Sequence, residues 1–228
     1  VQEILAYSAR QVDASDSGWA WNGADNWNGG ALHVSHDFGF GLVDAHAAVR
    51  LAETWDRQST HANELQVSAA SSPNAPIYDH TTTTDSVFVS TSLKIDQVEV
   101  DLNLSHTYIG DLVITLTSPD GTESVLANQP WTGQNNINFT FGSTHHWGET
   151  GYGTWTLSVA DEWSLDQGTL NNWTLRLYGD SLTGDDTYYY TDEYAQFAGP
   201  GRDTLTDSDG LDTLNAAAIT SNSSIDLN

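Results

Sequence analysis

Between residues 93 and 177, large apolar residues recur at every second position, run after run, with Gly, Asn and Asp clusters between the runs. A period of two places every apolar side chain of a run on one face of an extended strand. Leu93 and Ile95 make the first pair. Val98, Val100, Leu102 and Leu104 continue in the opposite phase. The phase change at Asp96-Gln97 predicts a β-bulge, since one extra residue restores the apolar set to its own face. Leu112, Ile114 and Leu116 follow, closed by the turn Ser118-Pro119-Asp120-Gly121, and Val125 and Leu126 open the return strand. Ile137, Phe139 and Phe141, then Trp155, Leu157 and Val159, then Trp173, Leu175 and Leu177 complete the pattern. Strands at this spacing without helices between them predict a mainly β fold, a β-sandwich with aromatic residues on the inner faces and Thr, Ser and Arg176 outside.

The flanks read differently. Residues 1–9 have apolar positions at 1, 4, 5 and 9, a helical spacing, and 42–55 reads as a helix with Leu42, Ala45, Val49 and Ala52 on one stripe. Between them, 16–30 is a loop rich in Gly, Asn, Asp and Trp. Trp19, Trp21 and Trp27 read more simply as local packing than as an aromatic platform for a sugar or peptide. His33, His36 and His46 lack the HExxH spacing of a zinc helix and read as structural. Residues 57–85, rich in Ser, Thr, Asn and Pro, read as a linker with room for a first edge strand.

Thirty-one acidic residues face six basic ones, a net charge of -25. Such a surface repels nucleic acid and anionic membranes, and both are excluded as partners. The excess is mostly Asp, which suits a hard cation such as calcium but serves solubility or high salt equally. With no Cys, there are no disulfides, no thiol catalysis and no thiolate metal sites, which fits a bacterial or archaeal exported protein. No apolar run is long enough for a transmembrane helix. A first residue that is not Met and already lies in a helical pattern leads to the expectation that the chain is a piece of a longer one.

Three carboxylates sit where strands begin or end: Asp111 at a strand entrance, Asp161 after the run ending at Val159, and Asp166 in the loop SLDQGTL. In a sandwich, strand ends far apart in sequence can meet at one edge. Three carboxylates there would repel unless a cation neutralised them, and calcium takes such oxygens with carbonyls completing its shell. The competing reading is that Asp111 and Asp161 hydrogen-bond loop amides and Asp166 caps a turn.

Two resemblances then become specific. VQEILAYSAR followed by HVSHDFGFGLVDAHAAVRLAETW resembles the end of the catalytic domain of kexin-like subtilases. HTYIGDLVITLTSPDGTESVL, HWGETGYGTWTLSVAD and GTLNNWTLRLYG resemble, in order, the P domain (Homo B domain) that follows it in kexin- and furin-like proteases. The resemblance implies a jelly-roll sandwich that packs on the protease domain and supports its folding. It also implies a parent that is a secreted, calcium-dependent serine endopeptidase, cutting protein substrates through a triad upstream of Val1. Neither a GTSxA-type serine motif nor the Asp and His segments of a triad occur in the 228 residues, so the chain alone is expected to be inactive. In the HHWGE stretch, His145, His146 and Glu149 are expected to pack rather than bind metal.

Residues 181–228 resemble the segment leading into the calcium-binding β-roll of serralysin-type C-terminal regions, without its glycine-rich nonapeptide array. A short acidic β-linker is the plainer alternative. The expected organisation is a catalytic-domain remnant over 1–56, a linker over 57–86, the P domain over 87–180 and the extension over 181–228. Two rival readings are a carbohydrate- or protein-binding jelly roll, with Trp19, Trp21, Trp27, Trp131 and Trp163 as platforms, and a calcium-stabilised spacer of a surface protein.

Overall fold

The computed structural model describes residues 1–55, 60–130 and 132–226. They form two compact units, one made of 1–60 with 182–228 and the other of 61–181.

The first segment of the discontinuous unit holds helix α1 (Gln2–Ser8), the short pair β1 (Trp19–Trp21) and β2 (His33–Ser35), and helix α2 (Ala45–Glu53). Helix α2 starts where a cap allows: the Asp44 carboxylate accepts the Ala47 N–H at 3.0 Å and so satisfies one of the helix's free donors. It is shorter than the expected 42–55, and it buries Ala47 and Leu51 rather than the predicted stripe. Leu42 and Val49 stay about half exposed.

The second unit is the sandwich. Strands β3 (Leu65–Ser71), β4 (Ala75–Ile77), β5 (Thr82–Val89) and β6 (Leu93–His106) lead to a 3-10 turn (Ile109–Asp111). Then follow β7 (Leu112–Thr117), β8 (Glu123–Asn128), β9 (Ile137–Ser143), β10 (Gly153–Asp161) and β11 (Gly168–Ser181). One antiparallel sheet runs β5-β10-β7-β8; the other runs β3-β11-β6-β9, with β4 paired to β11. The inner positions of both sheets form one core that includes Val98, Leu102, Ile114, Trp155, Leu157, Trp173 and Leu175. The expected bulge is present. Tyr178 pairs with Gln97 and Gly179 with Ile95, so Asp96 is the extra residue, and burial changes phase there. Strands β3 and β4 and the start of β5 lie inside the stretch expected as a linker. The sequence leaves room for one edge strand, and β3 and β5 each lie at a sheet edge; the full set gives no signal because its apolar residues are small or sparse, its register being set by pairing with β11 and β10.

The chain ends with β12 (Thr187–Thr191), the single-turn helix α3 (Tyr194–Phe197) and β13 (Thr213–Ala218), β12 and β13 pairing in parallel. Tyr189 and Ala218 of this segment share a core with Tyr7, Trp27, Leu32, Ala47 and Leu51. Of the tryptophans of the 16–30 loop, Trp27 is fully buried and Trp19 stacks on Phe38 at 5.6 Å, while Trp21 meets Phe197 edge-on and stays 44% exposed. Trp163 is exposed, and Trp131 lies outside the described residues. Of the three histidines near the start, His33 is buried while His36 and His46 are exposed. No described helix is long and apolar enough to cross a membrane.

Candidate metal centre

One end of the sandwich gathers acidic side chains. The 3-10 turn carries Asp111 to the mouth of β7, and Asp161 is the last residue of β10, paired in register with Leu112. Asp111 and Asp161 are both buried, and Asp166, in the loop before β11, is half-buried. Asp79 joins them from the turn between β4 and β5. Its Oδ2 accepts the Leu165 N–H at 2.9 Å, and its Oδ1 is buried with no hydrogen-bond partner among the described residues. Asp161 Oδ1 accepts the Trp163 N–H at 3.1 Å, and its Oδ2 stands 3.2 Å from His106 Nε2. The His106 ring is fixed on its other side, Nδ1 lying 2.8 Å from the Tyr108 carbonyl oxygen.

The electrostatics follow from this crowding. Burial pushes the Asp111 carboxyl above the usual carboxylate range, and the negative charges of Asp161, Asp166 and Asp79 push it the same way, against the pull of His106. The three carboxylates singled out from sequence are therefore brought within electrostatic reach of one another. The loop-amide alternative also holds in part, since Asp161 accepts from Trp163. A set of acidic side chains with one orphaned buried oxygen is the donor chemistry that a hard, oxygen-seeking cation fits. Sequence reasoning missed Asp79, which fell in the supposed linker, and His106, which stood in the quoted HTYIGDL stretch five residues before Asp111.

A second acidic group lies in the other unit. Parallel pairing sets Thr187 beside Thr213, which brings Asp186 next to Asp212. Asp207 completes a trio whose carboxylate oxygens all lie within 4.8 Å of one another, the one such group among the described residues. The Asp186 N–H donates to Asp212, and the Tyr188 hydroxyl donates to Asp207. The trio comes from two stretches of related sequence, GDDT at 184–187 and DSDGLDT at 207–213.

Residues 95–177 match the family model of the proprotein convertase P-domain. This stretch is a P domain. Relatives extend the similarity beyond it. Human proprotein convertase subtilisin/kexin type 4 is 36% identical over 165 residues, covering 68% of this chain and 22% of that protein. The dibasic-processing endoprotease of Yarrowia lipolytica is 31% identical over 188 residues, covering 79% of this chain and 19% of that protein. The chain thus spans about a fifth of the length of these relatives. The solved serine protease of Aeromonas sobria, in complex with its chaperone, superposes with a TM-score of 0.68 at 23% identity, over 79% of this chain and 40% of that one. That likeness shows the fold.

Within the P domain the HHWGE stretch is interior. His146 and Glu149 are fully buried, with Nδ1 and Oε2 3.5 Å apart, and the His146 ring meets Trp155 edge-on at 5.0 Å. The Trp155 indole donates to the Gly151 carbonyl at 3.1 Å. Backbone bonds from Ile95 to Glu149 and from Gly148 to Ile95 tie this stretch to the bulged strand.

Proposed function

We propose that this chain is the accessory, stabilising C-terminal region of a secreted, calcium-dependent serine endopeptidase of the subtilisin/kexin type. The observation that carries the reading is the order of two signals: a subtilase-like ending, FGFGLVDAHAAV, and then a P domain. The triad that attacks the peptide bond would lie upstream of Val1. The chain's own residues would support that chemistry without touching it. Secretion is inferred from the resemblance to the kexin- and furin-like proteases, with which the cysteine-free composition is compatible.

Calcium would be held by Asp111, Asp161 and Asp166, with Asp79 supplying its free oxygen. It would supply positive charge that relieves the repulsion among them. The partner of the P domain would be the protease domain of the same chain. The outer face of the β5-β10-β7-β8 sheet suits such a role. Its rows Thr84–Ser158–Thr115–Val125 and Ser86–Thr156–Thr117 carry no charge, and Glu123 stands at the corner. On a chain of net charge -25, these uncharged rows, with the exposed Phe88 on the same face, can be covered without desolvating carboxylates.

The test is labelling of the full-length gene product and of this chain with a fluorophosphonate probe, with calcium and with a chelator. Labelling of the full-length protein alone, lost on chelation, is the expected result. A calcium-loaded, mature full-length protein that takes no label would overturn the reading and favour a binding module or a spacer.

A further inference from the structure

The turn around Asn28 in the discontinuous unit is unusually well provided with partners from the C-terminal segment. Trp27 and Gly30 close it through N–H···O bonds of 3.0 and 2.9 Å. Its outward amides and carbonyls are then taken up one by one. The Tyr189 N–H donates to the Asn26 carbonyl, and the Asn28 N–H donates to the Tyr189 carbonyl, both at 2.8 Å. The buried Asn28 side chain exchanges two bonds with Thr191: its amide donates to the hydroxyl at 3.0 Å, and the Thr191 N–H donates to its oxygen at 2.8 Å. Arg202 reaches three carbonyls, those of Trp27 (3.1 Å), Asn28 (3.2 Å) and Ala31 (2.7 Å). Its guanidinium lies 4.5 Å from the centre of the Trp21 ring.

Two further contacts flank the turn. Glu193 accepts the Gln11 N–H at 2.7 Å and places its other oxygen 3.1 Å from His33 Nε2, in a buried pair. The Tyr189 ring is held between Tyr7 and Trp55, with centroids 4.7 and 4.9 Å away. The close approach also explains Gly29. Its φ is +74°, and a Cβ there would stand 2.3 Å from the Arg202 carbonyl oxygen.

A buried aromatic anchor and a half-buried arginine one, each with its polar groups partnered, are the composition of a binding hot spot rather than of a passing linker. We propose that the 26–31 turn is a receptor for the chain's own segment 187–202. The C-terminal piece that carries it, with β13 paired to β12, docks as one ligand and stays bound when the connection near Leu182 is cut. Leu182 is exposed and outside any strand, so a nick there would leave the docked segment in place. The inference does not rest on the protease reading.

The experiment inserts a recognition site for a sequence-specific protease after Leu182 of the whole chain, cleaves the folded protein, and passes it over a sizing column under native conditions. The C-terminal piece should co-elute with the rest. It should separate after Arg202→Ala and after Arg202→Lys, because an ammonium cannot span three carbonyls, with apparent affinity falling about tenfold or more. Thr191→Ala, which removes one hydroxyl, serves if the Arg202 variants fail to fold before cutting, and it should loosen the piece measurably. A wild-type piece that elutes alone overturns the proposal. Equal retention in the wild type, Arg202→Ala and Thr191→Ala overturns the assignment of the receptor.

Discussion

The Trp173 indole N–H donates to the Asp85 carboxylate at 2.7 Å, a hydrogen bond that crosses from β11 in one sheet to β5 in the other. Asp85 shares the inner side of β5 with Val87 and Val89 of the core, and the bond is what makes a carboxylate tolerable there. Trp173→Phe keeps most of the apolar volume but strands the charge. It should cost the sandwich about 2–3 kcal/mol, since hydrogen bonds to charged groups contribute about that much. Urea denaturation followed by tryptophan fluorescence measures it. Asp85→Asn, which keeps an acceptor, should cost less, and an equal loss in both would refute the account.

Arg176 holds Glu99 and Asp101 on the outer face of β6, with Thr140 of β9 also donating to Asp101. These bonds, chiefly that from Arg176, pull the Asp101 carboxyl below its ordinary value of 3.8. A depressed acid stabilises the fold above its unfolded pKa and loses that contribution as pH falls through the folded one. Melting temperature should therefore drop below about pH 4 partly through Asp101, and Asp101→Asn should flatten the decline. The pair is partly exposed and salt screens it, so the effect should shrink in molar salt.

Asp111 has the opposite sign. Its carboxyl is raised by burial and by Asp161, Asp166 and Asp79, so without a cation stability falls as pH rises from the ordinary carboxylate value towards the raised one. Asp111→Asn should then stabilise the chelated chain at neutral pH and destabilise the calcium-loaded one, where a ligand has been lost. Differential scanning calorimetry with calcium and with chelator reads both arms. A variant that shifts both arms the same way would remove Asp111 from the proposed site.

Gly179 faces the bulge. A Cβ at this position would stand 1.8 Å from the Lys94 carbonyl oxygen. Gly179→Ala should therefore cost about 1–3 kcal/mol through forced backbone movement, in the range of overpacked cores. Deleting Asp96 together with that change should not rescue it, because the deletion turns Leu93 and Ile95 to the wrong face. Hydrogen exchange across β6 and β11 would locate the damage.

The strands that carry alternating large residues were legible in the sequence, and so was the bulge at Asp96, because burial on one face leaves a period that local composition cannot hide. Of β3 and β4 only the room for one edge strand was legible, since Ala69, Ala70 and Ala75 pack without announcing themselves and are held by pairing with β11. The face of α2 was misread for a similar reason: its neighbours select Ala47 and Leu51, and Val49 faces outward. At the acidic end, Asp111, Asp161 and Asp166 were legible as strand-end carboxylates. Asp79 and His106 become visible only once strands remote in sequence are placed side by side.

Leu65, where the sandwich begins, pairs with Gly179, two residues before it ends, while the other unit is built from 1–60 and 182–228. The sandwich is thus an insertion whose two ends emerge together. In chain order α1 and α2 come before the inserted domain, while Tyr189 and Ala218, which share their core with Tyr7 and Trp27, come after it. That core therefore closes on contacts such as Asn28 with Thr191, 163 residues apart, and so long a sequence separation makes them slow to form beside the nearer pairings within the sandwich.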